Sequence, residues 1–267
     1  MSQKDVERLF GSCFLTARML AEYRIRTMLR LAEFADLRLC MQFARPGTMA
    51  IDVGASVGRY ALALRKAVSL SGSVLALEPN PAVYKKLVRT TWLAGVDTVN
   101  AAASSTNGTA DLLIPVDSEG RRLEPRATLE DRGQASVRVQ VLRVRLDDLL
   151  RDTTSKVSLI KIDVEGHEAE VIRGASDVLD RHRPTLVVEI ESRYVGGVVA
   201  VADVVALLTK RGYRCHAIYG GTLIPWADFD VTRWQASYLA ASDEYRAAHR
   251  VEYVNNFLFE PIRLVRT

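Results

Sequence analysis

The chain has 267 residues, 48% hydrophobic and 25% charged, with a formal net charge of +4. That length and balance suit one large folded domain, or a core domain with an extension, and exclude disordered and fibrous classes. The three cysteines, Cys13, Cys40 and Cys215, are odd in number and too scattered for a disulfide framework or a zinc site, which points to a reducing, cytoplasmic setting. No apolar run approaches the roughly 20 residues of a membrane-spanning helix, and Asp5, Glu7 and Arg8 interrupt the order of a signal peptide. The charges are interspersed and form no basic stripe with aromatic residues, so nucleic acid is not expected as a partner.

Residues 3–43 read as helical, with Leu9, Phe10, Phe14, Leu15, Met19, Leu20 and Tyr23 at three- and four-residue spacings. Arg45-Pro46-Gly47 ends that stretch with a turn. Residues 1–47 are therefore expected to be a helical extension packed on a core domain at 48–267. The same helices also offer a lid or a homodimer surface. Arg18, Arg24, Arg26 and Arg30 leave a membrane-lying helix as the less favoured alternative.

From Met49 onward short strands alternate with helices. Strands are expected at 49–53, 73–78, 98–103, 158–163, 186–191, 213–219 and 256–260. Helices are expected at 59–68, 81–93, 168–180 and 201–211. Such alternation demands right-handed crossovers and a parallel sheet covered on both faces, an α/β doubly wound Rossmann-like fold with seven strands. Residues 109–115 and 136–145 read as paired strands around a polar loop at 116–135, a segment of the kind that borders substrate sites.

Ligands of such sheets bind beyond the carboxyl ends of the strands, where strand order reverses. There the sequence places Asp52-Val53-Gly54-Ala55-Ser56-Val57-Gly58-Arg59-Tyr60. Gly54 permits close approach of the backbone to a ligand, Gly58 permits tight entry into a helix, and Asp52 can orient the loop or accept from an ammonium. A dinucleotide fingerprint starting at Gly54 needs glycines where Ser56 and Arg59 stand. Without that bare backbone a pyrophosphate fits poorly, and a phosphate-free sulfonium nucleoside such as S-adenosylmethionine fits better than NAD. At the end of the second strand, Glu78-Pro79-Asn80-Pro81 presents a carboxylate suited to ribose hydroxyls on a stiff turn.

An acidic rim follows. Asp163 and Glu165 are two apart in Lys161-Ile162-Asp163-Val164-Glu165-Gly166-His167-Glu168, on one side if the backbone is extended. They are candidates for ordering cofactor and acceptor or for acting as base; the competing role is capping the helix that follows. His167 is the candidate base by its ordinary pKa, with capping or surface placement as the plainer alternative. Glu189 and Glu191 share a face opposite Val188 and Ile190, and buried carboxylates there need partners. A divalent-cation site with Asp163 stays open, beside a metal-free hydrogen-bond network.

Taken in order, IDVGASVGRY, ALEPNP, VNAAASSTNGTADLLIP, VRLDDLL, LIKIDVEGHEAEVIRGA, PTLVVEIE and NFLFEP resemble the motifs of the FkbM-type methyltransferases, over about residues 48–261. The resemblance implies the class I methyltransferase fold and S-adenosylmethionine as cofactor. It implies that Asp52, Gly54 and Gly58, with Ala55, Ser56 and Tyr60 of the same loop, surround the methionine part. Glu78, with Pro79 and Asn80, would hold the ribose, and the 101–103 strand end, Ala102 included, would lie near the adenine. Ser56 departs from the Asn common in the family, which implies tuned affinity. The implied reaction is O-methylation of a sugar, glycan or polyketide-like natural product. An NAD-dependent oxidoreductase and a non-catalytic cofactor-binding scaffold are the alternatives.

Overall fold

The computed structural model describes residues 31–241 and 253–262. Of the helical stretch expected over 3–43, residues 3–30 with their arginine cluster lie outside the described residues. Among the described residues no helix is long and apolar enough to cross a membrane.

Helix α1 (Leu31–Phe43) lies against α2 (Arg59–Val68), where Cys40 and Ala44 join Ala61, Leu64 and Val68 in one buried cluster. Strands β1 (Met49–Val53), β2 (Ser73–Leu77) and β3 (Asp97–Val99) run outward from the sheet centre in parallel, with α3 (Pro81–Thr91) between the last two. On the other flank of β1, strands β7 (Val157–Ile162) and β8 (Thr185–Glu189) are also parallel. Every residue of β7 is buried, as a strand covered on both faces requires. The chain thus leaves β1 in one direction and returns on its other side, which opens a crevice beside the end of β1.

The main sheet has eight strands in the order β10-β9-β11-β8-β7-β1-β2-β3, one more than expected from the alternation. The added strand is β10 (Thr222–Pro225), which turns back antiparallel on β9 (Tyr213–Tyr219). Gly220 and Gly221, both at positive φ, make the two-residue turn between them, and a Gly-Gly pair between apolar runs is itself a hairpin signal. Strand β11 (Asn256–Pro261) inserts antiparallel between β8 and β9.

The strand expected at 98–103 is two. After β3 the chain breaks at Asn100, and β4 (Ala102–Ala103) pairs with β6 (Ser136–Val144) in a separate sheet completed by β5 (Gly108–Pro115). Asn100 fixes the break by donating its side-chain N–H to the carbonyls of Glu78 and Pro79. The helix expected at 168–180 is likewise divided, into α5 (Glu168–Arg173) and α6 (Ser176–His182). The cause is Gly174: a β-carbon there would lie 1.9 Å from the Ser104 carbonyl oxygen, and its own carbonyl accepts from Asp147 N instead of continuing the helix. That close approach brings Ser104 to the site described next.

Candidate active site

At the carboxyl end of β1 the backbone turns on Gly54, at φ 78°. A β-carbon at this position would lie 1.8 Å from the Asp163 carbonyl oxygen, so only glycine lets the ends of β1 and β7 meet. Gly54 and Ala55 both donate backbone N–H groups to the Leu77 carbonyl, at 3.0 and 2.9 Å. Gly58, at φ 91°, is the left-handed N-cap that starts α2, as expected, and it also serves packing, since a β-carbon there would meet Thr91 and Leu87 of α3 at 2.8 and 2.9 Å and hold the two helices apart.

One cleft of about 240 Å³ opens above these strand ends. Of the residues singled out as cofactor contacts, Gly54, Ser56, Glu78, Pro79, Ala102 and Asp163 line it. Asp52, Ala55, Gly58, Tyr60 and Asn80 do not border it and act from behind. Asn80 caps α3 by accepting from Ala82 N at 3.0 Å, and donates to Glu124 on the far wall. Tyr60 offers its ring to the buried Lys161 ammonium, 5.2 Å from the centroid.

Glu78 is buried, and both its oxygens take backbone donors: Ser56 N at 3.0 Å and Asn80 N at 2.8 Å. Burial pushes its carboxyl up to about 7, against the pull of those two N–H groups. Glu78 also lines the cleft.

Asp163 and Glu165 both border the cleft, but not through extended backbone. Glu165 sits at φ 55° and Gly166 at 97°, so a left-handed turn brings the second carboxylate round. Thr128 Oγ1 donates to the Glu165 carbonyl at 2.8 Å, and the Arg132 guanidinium donates to it as well, which holds the turn. Burial, then repulsion from Asp163 and Glu191, pushes the Glu165 carboxyl up to about 8, and its Oε2 is buried without a partner. His167 opens α5 but caps nothing with its side chain. Its ring is buried between Glu130 Oε1, 2.6 Å from Nδ1, and Ser104 Oγ, 3.0 Å from Nε2. Its bond to His167 holds the Glu130 carboxyl below the usual range.

Glu189 ends β8 and lines the cleft, while Glu191 lies beyond the strand and is buried off the cleft. A single amide joins them: Asn255 Nδ2 donates to Glu189 Oε1 at 2.7 Å and to Glu191 Oε1 at 3.1 Å. Arg193 and Tyr253 also donate to Glu191. Burial, with the nearby Asp163 charge, raises the Glu189 carboxyl well above its ordinary range. Among the described residues no group of three or more His, Cys, Asp or Glu side chains is arranged to hold a metal ion.

The far wall comes from the 116–135 segment, through Glu124, Ala127, Thr128 and Leu129. Sequence pattern alone points to this loop as a substrate border without singling out any of its residues. Ser104 and Asn255 carry no signal in the sequence either, because their parts depend on contacts across more than sixty positions. The residues lining the cleft include five carboxylates (Glu78, Glu124, Asp163, Glu165 and Glu189) and His167, but no lysine or arginine.

Residues 52–215 match the Methyltransferase FkbM domain. The chain belongs to the FkbM methyltransferase family. Within known proteins it is 29% identical over 156 residues to methyltransferase sdnD of Sordaria araneosa, covering 48% of this chain and 60% of that one. It is 24% identical over 144 residues to hexuronic acid methyltransferase AglP of Haloferax volcanii, covering 54% and 56%. The aligned part thus spans less than two thirds of either relative. In fold it is similar to a proposed rRNA-methylase of Clostridium thermocellum, at a TM-score of 0.50 and 8% identity, covering 88% of this chain and 99% of that one. This FkbM-family chain accordingly has the Rossmann-like class I methyltransferase fold.

Proposed function

We propose that the cleft binds S-adenosylmethionine and serves transfer of its methyl group to a hydroxyl of a sugar, glycan or polyketide-like acceptor. The observation that carries this reading is the make-up of the lining: five carboxyl groups and no lysine or arginine. A dinucleotide brings two phosphates that would find no cationic side chain there, whereas a sulfonium nucleoside brings positive charge and hydroxyl and amino donors that carboxyl groups can meet. Family membership supports the methyl donor over NAD. The hexuronic acid methyltransferase among the relatives supports a carbohydrate-like acceptor.

The residues fit such a donor. Gly54 lets the ends of β1 and β7 meet beneath the cleft, Glu78 offers acceptors for the ribose hydroxyls, and Asp163 offers a carboxylate for the amino group. When bound, the donor supplies an electrophilic methyl carbon. The chain must then align an acceptor oxygen and exclude water, which is worth about 7–11 kcal/mol in well-oriented reactions. His167 is the proton acceptor in this reading, since it lines the cleft and Glu130 and Ser104 fix its ring through Nδ1 and Nε2. Glu165 and Glu189, both raised in pKa, orient the acceptor's hydroxyls.

Calorimetry with S-adenosylhomocysteine and with NAD tests the cofactor, and homocysteine-nucleoside release from S-adenosylmethionine with a panel of sugars, uronic acids and polyketide alcohols tests the reaction. Binding of the first nucleoside but not NAD is expected. Tight binding of NAD, or no binding of either, would overturn the reading. Binding without turnover on any acceptor class would favour the scaffold alternative.

A further inference from the structure

Lys161 stands in the middle of β7, in register with Asp52 on β1 and Val187 on β8, and its side chain is 1% exposed. Its neighbours along β7, Ile160 and Ile162, are apolar, and burying an ammonium costs several kcal/mol unless it is well paired. An apolar side chain of equal length would fill the space more cheaply. The ammonium is turned toward the carboxyl end of the strand, where Nζ donates to the Ile162 carbonyl at 3.3 Å and lies 3.6 Å from Asp163 Oδ2. Asp163 is 34% exposed in its side chain and lines the cleft, so this ion pair joins the closed interior to the site. Asp52, although in register, leaves its buried Oδ2 without a partner. The other ionisable groups facing Lys161 are Asp36 and Cys40 from α1, Tyr60 from α2 and Glu189 from β8.

We propose that Lys161 is a positioning residue for the methyl donor: from beneath the cleft floor its ammonium fixes the Asp163 carboxylate so that it meets the donor's amino group. The proposal rests on the donor reading above. The lysine acts through Asp163, with no contact of its own to the ligand.

The decisive experiment is calorimetric binding of S-adenosylhomocysteine to the full chain at pH 7, for the native protein, Lys161→Met and Lys161→Arg, with the melting temperature of each measured alongside. For Lys161→Met the dissociation constant is expected to rise at least tenfold, because the Asp163 carboxylate loses the cation that orients it. Lys161→Arg, which keeps the charge, is expected to restore part of the affinity. A purely structural lysine would alter the melting temperature without changing the affinity of the folded protein.

Because Lys161→Met leaves the buried Asp52 without any nearby cation, the same comparison is made in an Asp52→Asn background, where that cost is absent and folding is expected to hold. A loss of affinity on Lys161→Met in either background, partly restored by Lys161→Arg, supports the proposal. Equal affinity with and without Lys161 overturns it while leaving the donor reading standing. If the native protein does not bind S-adenosylhomocysteine at all, the donor reading falls, and this proposal with it.

Discussion

The backbone N–H of Ser56 donates to Glu78 Oε2 at 3.0 Å, tying the loop after β1 to the carboxylate at the end of β2. Glu78 therefore shapes the glycine loop as well as facing the cleft. Glu78→Ala should weaken S-adenosylhomocysteine binding at least tenfold, about 1.4 kcal/mol, since hydrogen bonds to charged groups each contribute about 1.5–3 kcal/mol. Glu78→Gln keeps one acceptor oxygen and should fall between. Calorimetry decides, and an unchanged affinity in the alanine variant removes Glu78 from the ribose role.

Gly54 gives a second prediction on the same loop. At φ 78°, with the Asp163 carbonyl 1.8 Å from where a β-carbon would stand, Gly54→Ala must both adopt left-handed backbone and part β1 from β7. The first costs about 1–2 kcal/mol and the overpacking about 1–3 kcal/mol more. Urea denaturation should show that combined loss, together with weakened nucleoside binding. Gly95→Ala, which meets no atom within 4 Å, should lose only the backbone share. Equal losses in the two variants would refute the close-approach argument.

These two glycine-loop positions also mark what is legible in the sequence. Gly54, Glu78 and Asp163 stand at strand ends, and strand ends follow from local alternation and turns; the fold class and one rim of the cleft are readable for that reason. Ser104, Glu130 and Asn255 are not readable, because each acts on a partner 37 or more positions away that only the finished fold brings close. Glu165 reaches the cleft by a different route from the one its spacing suggests, since periodicity assumes an extended chain and the observed φ is 55°. The break at Asn100 is hidden because the side-chain bonds that split the segment reach back more than twenty positions, to Glu78 and Pro79.

The buried carboxyl groups in and beneath the cleft carry a pH signature. Burial lifts Glu165 to about 8 and Asp52, Glu78 and Glu168 to about 7, from ordinary values of 4.5 for the glutamates and 3.8 for the aspartate. Each group is protonated in the folded chain over a range where the unfolded chain has released the proton. Their contribution to stability is therefore complete in acid, below the unfolded values, and is lost as pH rises through 7 and 8. The melting temperature of the ligand-free protein should fall between pH 5 and pH 8.5. Glu165→Gln, which cannot ionise, should reduce the part of that fall above pH 7. A variant whose melting temperature parallels the native one across the range would contradict the assignment to Glu165.

His167 supplies the last prediction, because it is the bond between the 116–135 segment and the floor of the cleft. Its Nδ1 lies 2.6 Å from Glu130 Oε1 on that segment, and its Nε2 lies 3.0 Å from Ser104 Oγ on the opposite side. Glu130→Ala removes the partner on the segment and leaves the nucleoside-binding strand ends untouched. The segment carries Arg121, Arg122, Arg126 and Arg132, all trypsin sites. Trypsin should cut there several-fold faster in the variant, because cleavage follows the population of locally opened chain. S-adenosylhomocysteine affinity should stay within about twofold, since a factor of two corresponds to only about 0.4 kcal/mol. Cleavage at the native rate would mean that Thr128 and Arg132, through the Glu165 carbonyl, hold the wall without help from His167.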